Sequence, residues 1–333
     1  MSGLHVLVIG SGSAGRRHAR NLDALGCRIS AVDPRADRLE EIGSEVPLVG
    51  SFAEASAAIA AGGFDGAVVA SPTAFHVEQT LQAVDAGIPT LLEKPMAMDL
   101  HSAQRLHEVA ATKQVPVLLG YTWRWWPALR RVRSLLQEGS IGRVLHVRCT
   151  MSAHLEDWHP WEPYQEFFMS SRALGGGALL DESHWIDLVI WLFGRPARVF
   201  ATIDRLSDLD IDTDDNVDLL LDYEGGTRTV LHLDIHGRPH ERSLTISGQT
   251  GTIAWSDTPN AVRVGRGAAH WVSENFDDER NDMFVGVAED FLSMLRDGVP
   301  PPCTLTDGLE VMRIIDAARR SDREGTIVEV ASP

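Results

Sequence analysis

The string Gly10-Ser11-Gly12-Ser13-Ala14-Gly15 constrains this chain more than any other feature. It follows directly on an apolar, β-branched run, Leu4 to Ile9, and leads into a segment of helical spacing, Ala14 to Leu25. In a G-x-G-x-x-G turn between strand and helix, the first glycine permits the tight turn. The second lets the backbone approach a pyrophosphate, and the third lets helix and strand pack closely. The helix N-terminus then offers unpaired N–H groups and partial positive charge to an anion. A glycine turn alone is common. Here the next expected strand, Arg28 to Val32, ends at Asp33, which lies 33 − 10 = 23 residues after the first glycine. An acid near that spacing hydrogen-bonds the ribose hydroxyls of NAD and repels the extra phosphate of NADP. Arg35 partly offsets the repulsion, so NAD is favoured and NADP stays open. Gly10, Gly12, Ser13, Ala14, Gly15, Asp33 and Arg35 are the expected dinucleotide contacts.

The rest of the first third keeps the same alternation. Ala67 to Ala70 reads as a strand ending at Ser71-Pro72, and Val77 to Ala86 as a helix. Thr90 to Leu92 is a strand stopped by Glu93-Lys94-Pro95, and Val115 to Leu119 is another. Strands alternating with helices imply a doubly wound parallel sheet whose ligands sit at the carboxyl ends of the strands. After about residue 120 the grammar changes. Seven strand-like runs between Val144 and Val264 are separated by turns such as Glu224-Gly225-Gly226 and Gly248 to Gly251. Consecutive strands with tight turns pair antiparallel. The expected fold class is therefore α/β, with a Rossmann domain over 1–122. An α+β domain over 123–333 follows, built on a large, open, mostly antiparallel sheet with helices near 177–193, 277–297 and 306–320. A late helix can pack back on the first domain. The uncovered sheet face favours a homodimer or homotetramer.

Composition narrows the function classes. With 30 Lys plus Arg against 47 Asp plus Glu, the formal charge is −17. Such a surface repels phosphate backbones and anionic lipids, which argues against nucleic acid or membrane as the partner. The three cysteines, Cys27, Cys149 and Cys303, fit neither a disulfide framework nor a zinc spacing and read as buried thiols. No apolar run approaches a membrane span, and the N-terminal run is too short for a signal peptide, so a cytoplasmic protein is expected.

Two further clusters carry chemistry. Lys94, at a strand end between a buried strand and a proline, is either a solvated charge or a group that contacts a substrate hydroxyl and accepts its proton. Gly175 to Leu188 reads as a glycine turn opening an amphipathic helix, with Asp181, His184 and Asp187 at three-residue steps on one face. His beside a carboxylate suits proton exchange near neutral pH; capping and ion pairing are the equal alternative. No metal is expected, since hydride transfer from an alcohol needs only a base and a nicotinamide. Trp123, Arg124, His159 and Trp161 belong to aromatic stretches that suit either a sugar ring or a packed junction.

Taken in order, GSGSAG with His18, Ser71-Pro72-Thr73 with His76, Glu93-Lys94-Pro95, and the triple-glycine helix with Asp181 and His184 resemble the glucose–fructose oxidoreductase / inositol dehydrogenase / MocA family. The resemblance spans essentially the whole chain. It implies NAD(P)-linked oxidation or reduction of sugars, cyclitols and related molecules by a homo-oligomer. It makes Lys94 the catalytic lysine, His184 a partner in proton transfer and Asp181 the acid beside it. It places Ser71, Pro72, Thr73, His76 and Glu93 near the nicotinamide half. The commoner spacing from acid to histidine is four steps, against three here. Two other functions share the fold: a glycoside hydrolase using transient oxidation, and a dinucleotide-binding sensor.

Overall fold

The computed structural model describes residues 3–158, 162–268 and 270–331. It gathers them into two compact units: residues 1–122 with 280–312, and residues 123–279 with 313–333.

In the first unit, β1 (His5–Ile9), α1 (Ser13–Ala24), β2 (Arg28–Val32), α2 (Ala36–Glu45), β3 (Leu48–Phe52), α3 (Ala55–Ala61), β4 (Gly66–Val69), α4 (Thr73–Asp85), β5 (Thr90–Leu92), α5 (Leu100–Lys113) and β6 (Val117–Leu119) alternate. All six strands run parallel in the order β3-β2-β1-β4-β5-β6. The order reverses between β1 and β4, and that switch point is where an open α/β sheet leaves a crevice for ligand. β1, β4, β5 and β6 are buried along their whole length, which is why they read as unbroken apolar runs. β3, interrupted by Gly50-Ser51, lies at the sheet edge with alternating exposure, so its sequence carries no such signal.

The second unit holds α6 (Pro127–Gln137), β7 (Val144–Ser152), α7 (Ala178–Asp181), α8 (Ser183–Phe193), β8 (Arg198–Asp204), β9 (Asn216–Asp222), β10 (Arg228–Asp234), β11 (Glu241–Gly248), β12 (Thr252–Asp257), β13 (Asn260–Arg266) and β14 (His270–Asn275). Helix α9 (Asp282–Asp297) belongs with the first unit; the division between units falls within α10 (Leu305–Glu324), and β15 (Val328–Glu329) closes the chain. Nine strands form one sheet in the order β14-β13-β12-β11-β7-β10-β9-β8-β15. Every pair is antiparallel except β7 with β10.

Alternation sorts this sheet into two faces. Val147, Cys149, Met151, Leu231, Leu233, Leu244 and Ile246 are buried, whereas their neighbours along each strand, the buried Asp234 apart, are partly or fully exposed. Phe200, Leu220, Val230, Arg148 and Thr245 make a continuous row across the exposed face. The three cysteines are free and buried, and no helix among the described residues is long and apolar enough to cross a membrane.

Candidate active site

The glycine loop leaves β1 at the switch point. Gly10 has φ of +93°, and a Cβ on it would meet the Ser71 backbone nitrogen at 2.6 Å. Gly15 packs against the Gly10 carbonyl so closely that any side chain would collide with it. Gly12 differs: a Cβ there would meet no protein atom within 4 Å. Nothing in the chain itself requires that glycine. It keeps an open cradle at the start of α1, whose first turn has neither a capping side chain nor an acid. The N–H groups of Ser13, Ala14 and Gly15 therefore sit where a pyrophosphate fits.

Asp33, at the end of β2, is held by two backbone donors. Ser11 N–H reaches one carboxylate oxygen and Arg35 N–H the other, both at 2.9 Å. Arg35 itself turns to Asp37 through two bonds of 3.1 and 2.6 Å. Its charge is thus shared locally, which weakens it as a counter-ion for a ribose phosphate.

The ends of β4 and β5 bring the next residues together. Pro72 precedes α4 and Thr73 opens it, while Ser71 donates its hydroxyl to Gln79 at 2.6 Å. His76, almost wholly buried, has its two ring nitrogens at 2.7 Å from the Pro95 carbonyl and 2.8 Å from the Ser71 carbonyl. Burial pushes its pKa below the ordinary histidine value, against the two carbonyls. Glu93 is also buried; one carboxylate oxygen accepts from His18 at 2.7 Å and the other from the Lys94 N–H at 3.2 Å. Burial alone would raise the Glu93 pKa, but the His18 bond and the charges of His18 and Lys94 outweigh it, so the group lies below the usual range.

A second cluster lies in the other unit. Trp123 packs edge-on against Trp126, Trp185 and Trp255 with centroids 4.9 to 6.2 Å away. The His184 ring stacks on Trp123 at 5.2 Å with planes 5° apart. Arg124 meets Asp187 in a bidentate pair of 3.0 and 2.6 Å, with side chains 8% and 1% exposed. Trp123 and Arg124, read from sequence as suiting either a sugar ring or a packed junction, are both buried here. Asp181 is buried at the end of α7. His159 and Trp161 fall outside the described residues.

The structure corrects one local expectation. Asp181, His184 and Asp187 do not share one helix, because the helix breaks at Glu182, where φ is −86° and ψ is 17°. The start of α7 is tied down by a partner that the sequence reading missed: Asp214, in the loop before β9, accepts the Leu179 N–H at 2.8 Å. Its neighbour Asp215, fully buried, takes the Leu206 and Ser207 N–H groups. The acidic run 212–215 was the available signal, though such runs usually mark a solvated loop.

A Rossmann sheet with a phosphate cradle, followed by a unit on a large mixed sheet, defines a two-unit NAD-linked oxidoreductase. Residues 4–121 match the oxidoreductase family with an NAD-binding Rossmann fold, and residues 129–254 match the GFO/IDH/MocA C-terminal domain. The chain belongs to the GFO/IDH/MocA oxidoreductase family. The myo-inositol dehydrogenase Hyg17 of Streptomyces leeuwenhoekii is 29% identical, covering 97% of this chain and 98% of its own. The rhizopine catabolism protein MocA of Rhizobium meliloti is 26% identical, with 93% and 92% covered. Levoglucosan dehydrogenase, solved with NADH and levoglucosan, has the same fold at a TM-score of 0.89 and 20% identity, covering 99% of this chain and 100% of that one.

Proposed function

We propose that the protein is an NAD-preferring dehydrogenase that oxidises a ring hydroxyl of a sugar or cyclitol, or reduces the corresponding ketone. The observation that carries this reading is the open Gly12 cradle with Asp33 beside it, in a chain whose relatives are named as dehydrogenases of such molecules. Bound at the cradle, the nicotinamide cofactor accepts or returns a hydride. Gly10, Gly12, Ser13, Ala14 and Gly15 hold its phosphates, Asp33 the adenosine ribose, and the Ser71–Thr73 turn the nicotinamide half. The Arg35–Asp37 pair supports NAD over NADP.

The hydroxyl proton goes to Lys94. The sequence contains two lysines, Lys94 and Lys113, among 30 basic residues. In a chain that otherwise uses arginine, a lysine at a strand end is chemically meaningful. A guanidinium stays protonated, whereas an amine accepts and returns a proton. His184, held flat by Trp123, shares the proton, and Asp181 orients it. Trp123 and Arg124 act beneath His184 as supports, while His159 and Trp161 supply contacts to the sugar. The half-exposed face of the nine-stranded sheet, with its Phe200, Leu220 and Val230 row, is the surface for a homodimer or homotetramer. An NAD-linked enzyme with three reduced, buried thiols suits the cytoplasm.

The test is a screen at 340 nm with NAD and NADP against sugars, amino sugars, uronic acids and inositols. Reduction of NAD with one substrate, abolished in Lys94→Ala while NAD binding persists, is the expected outcome. Sugar release without net NADH would replace the dehydrogenase with a hydrolase. NAD binding with silence across the panel would replace it with a sensor.

A further inference from the structure

Lys94 stands between two residues that are each tied to a buried histidine. On its N-terminal side, Glu93 accepts from the Nε2 of His18 at 2.7 Å and from the Lys94 N–H at 3.2 Å. On its C-terminal side, the Pro95 carbonyl lies 2.7 Å from a ring nitrogen of His76, whose other nitrogen lies 2.8 Å from the Ser71 carbonyl. His18 belongs to α1, three residues after the last glycine of the loop, and His76 to the first turn of α4. The backbone on both sides of Lys94 is therefore referenced to the two turns that face the cofactor.

His18 is hard to account for as a packing residue. Its side chain has no exposure to solvent, and its Nδ1 has no hydrogen-bond partner among the described residues. A half-satisfied imidazole in a core is worse for stability than an apolar ring of the same size. Its single polar bond goes to Glu93, and Phe284 merely packs edge-on to its ring at 5.7 Å. Glu93 would also be a costly residue to bury without that bond. The arrangement makes sense as a device for holding the segment that carries Lys94.

We propose that His18 and His76 are positioning residues for Lys94, fixing the Glu93–Lys94–Pro95 segment against the glycine loop and the Ser71 turn. Neither touches the reacting atoms. This rests on the reading of Lys94 as the proton carrier, and a displacement of about 1 Å at such a group lowers turnover about 100-fold.

Because Lys94 and Lys113 are the two lysines of the chain, the state of the Lys94 amine can be read directly. Full-length protein is pulse-labelled with isotopic acetic anhydride across a pH series, and the Lys94 to Lys113 ratio is measured by peptide mass spectrometry. His18→Asn removes the donor at the Nε2 position, whereas His18→Gln keeps one there. In His18→Asn the ratio shifts about threefold, the change in free amine expected from half a pKa unit. Turnover falls about 10- to 100-fold with the KM for NAD within twofold, and His18→Gln recovers most of both losses. An unchanged ratio in His18→Asn overturns the proposal. So does an equal loss in both variants together with loss of NAD binding, which would make His18 a structural part of the glycine loop. Should His18→Asn fail to fold, Glu93→Gln is labelled in its place, with the same threefold shift expected and an unchanged ratio again decisive. Lys94→Ala separates the two layers. Retained turnover there removes the catalytic reading, whereas a dead Lys94→Ala beside unaltered His18 variants removes the positioning alone.

Discussion

The buried pair between Arg124 and Asp187 lends itself to a quantitative test. Their side chains are 8% and 1% exposed, and two N–H···O bonds of 3.0 and 2.6 Å join them. Replacing Asp187 by Leu leaves a guanidinium in a site that water scarcely reaches. Stranding one member of such a pair costs about 3–5 kcal/mol, much more than an exposed ion pair contributes. Replacing both, as Arg124→Met with Asp187→Leu, removes the buried guanidinium together with its carboxylate and returns stability to within about 1–2 kcal/mol of the parent. The assay is urea unfolding followed by tryptophan fluorescence. All nine tryptophans lie between residues 123 and 271, so the signal reports the second unit alone. With an m-value near 2 kcal/mol/M, the single variant shifts the midpoint down by about 1.5–2.5 M. A single-variant loss under about 1 kcal/mol, or a double variant no more stable than the single, would refute the desolvation argument.

Three other outcomes follow from the structure. Asp33→Ala should raise the KM for NAD about 10- to 100-fold, since hydrogen bonds to a charged group are lost; adding Asp37→Ala, which releases Arg35, should then move the KM ratio toward NADP, and steady-state kinetics with both cofactors decide. Gly177→Ala should cost about 1–3 kcal/mol and lower turnover, because Gly177 has φ of +104° and a Cβ there runs into the Asp214 carboxylate that caps α7; a thermal midpoint equal to the parent's would show that the cap tolerates displacement. On the nine-stranded sheet, bonds to Asp234 and Asp218 raise His232 to about 9 despite partial burial. That stabilisation is full below the unfolded value of 6.5 and is lost as pH rises through about 9. The stability gap between the parent and His232→Gln should be on the order of 1 kcal/mol at pH 6, after allowance for solvent screening, and should close by pH 10; a gap independent of pH counts against it.

What could be read from the sequence follows a physical division. β1, β4, β5 and β6 are buried throughout and so announce themselves as apolar runs, and the residues that end them, including Lys94, fall at the ligand side by topology alone. β3 and β14 are edge strands; β14 is exposed at every position, so no apolar pattern marks it. The pairings beneath the candidate residues were silent for a different reason. His18 meets Glu93 across 75 positions, and Arg124 meets Asp187 across 63. Each partner alone looks like a surface charge. The bond that ties down the start of α7 was hidden likewise, since it comes from Asp214, 35 positions after Leu179.

The two units use one strategy with different chemistry. Beneath Lys94 the support is polar: a buried carboxylate and two imidazoles bind the residues on either side of it. Beneath His184 it is aromatic and ionic: a stacked indole, then a bidentate pair on Asp187, less than one helical turn further along α8. Removing His18 would leave the buried Glu93 carboxylate without its histidine donor. Removing Asp187 would take two bonds from the buried Arg124 guanidinium. Proton transfer adds about 10²- to 10⁴-fold to a rate only when donor and acceptor are already within hydrogen-bond reach. A chain that buries this much polarity accepts lower stability at those positions than an apolar core would give. The gain is that each of the two residues proposed to move a proton is set within its own unit before any substrate arrives.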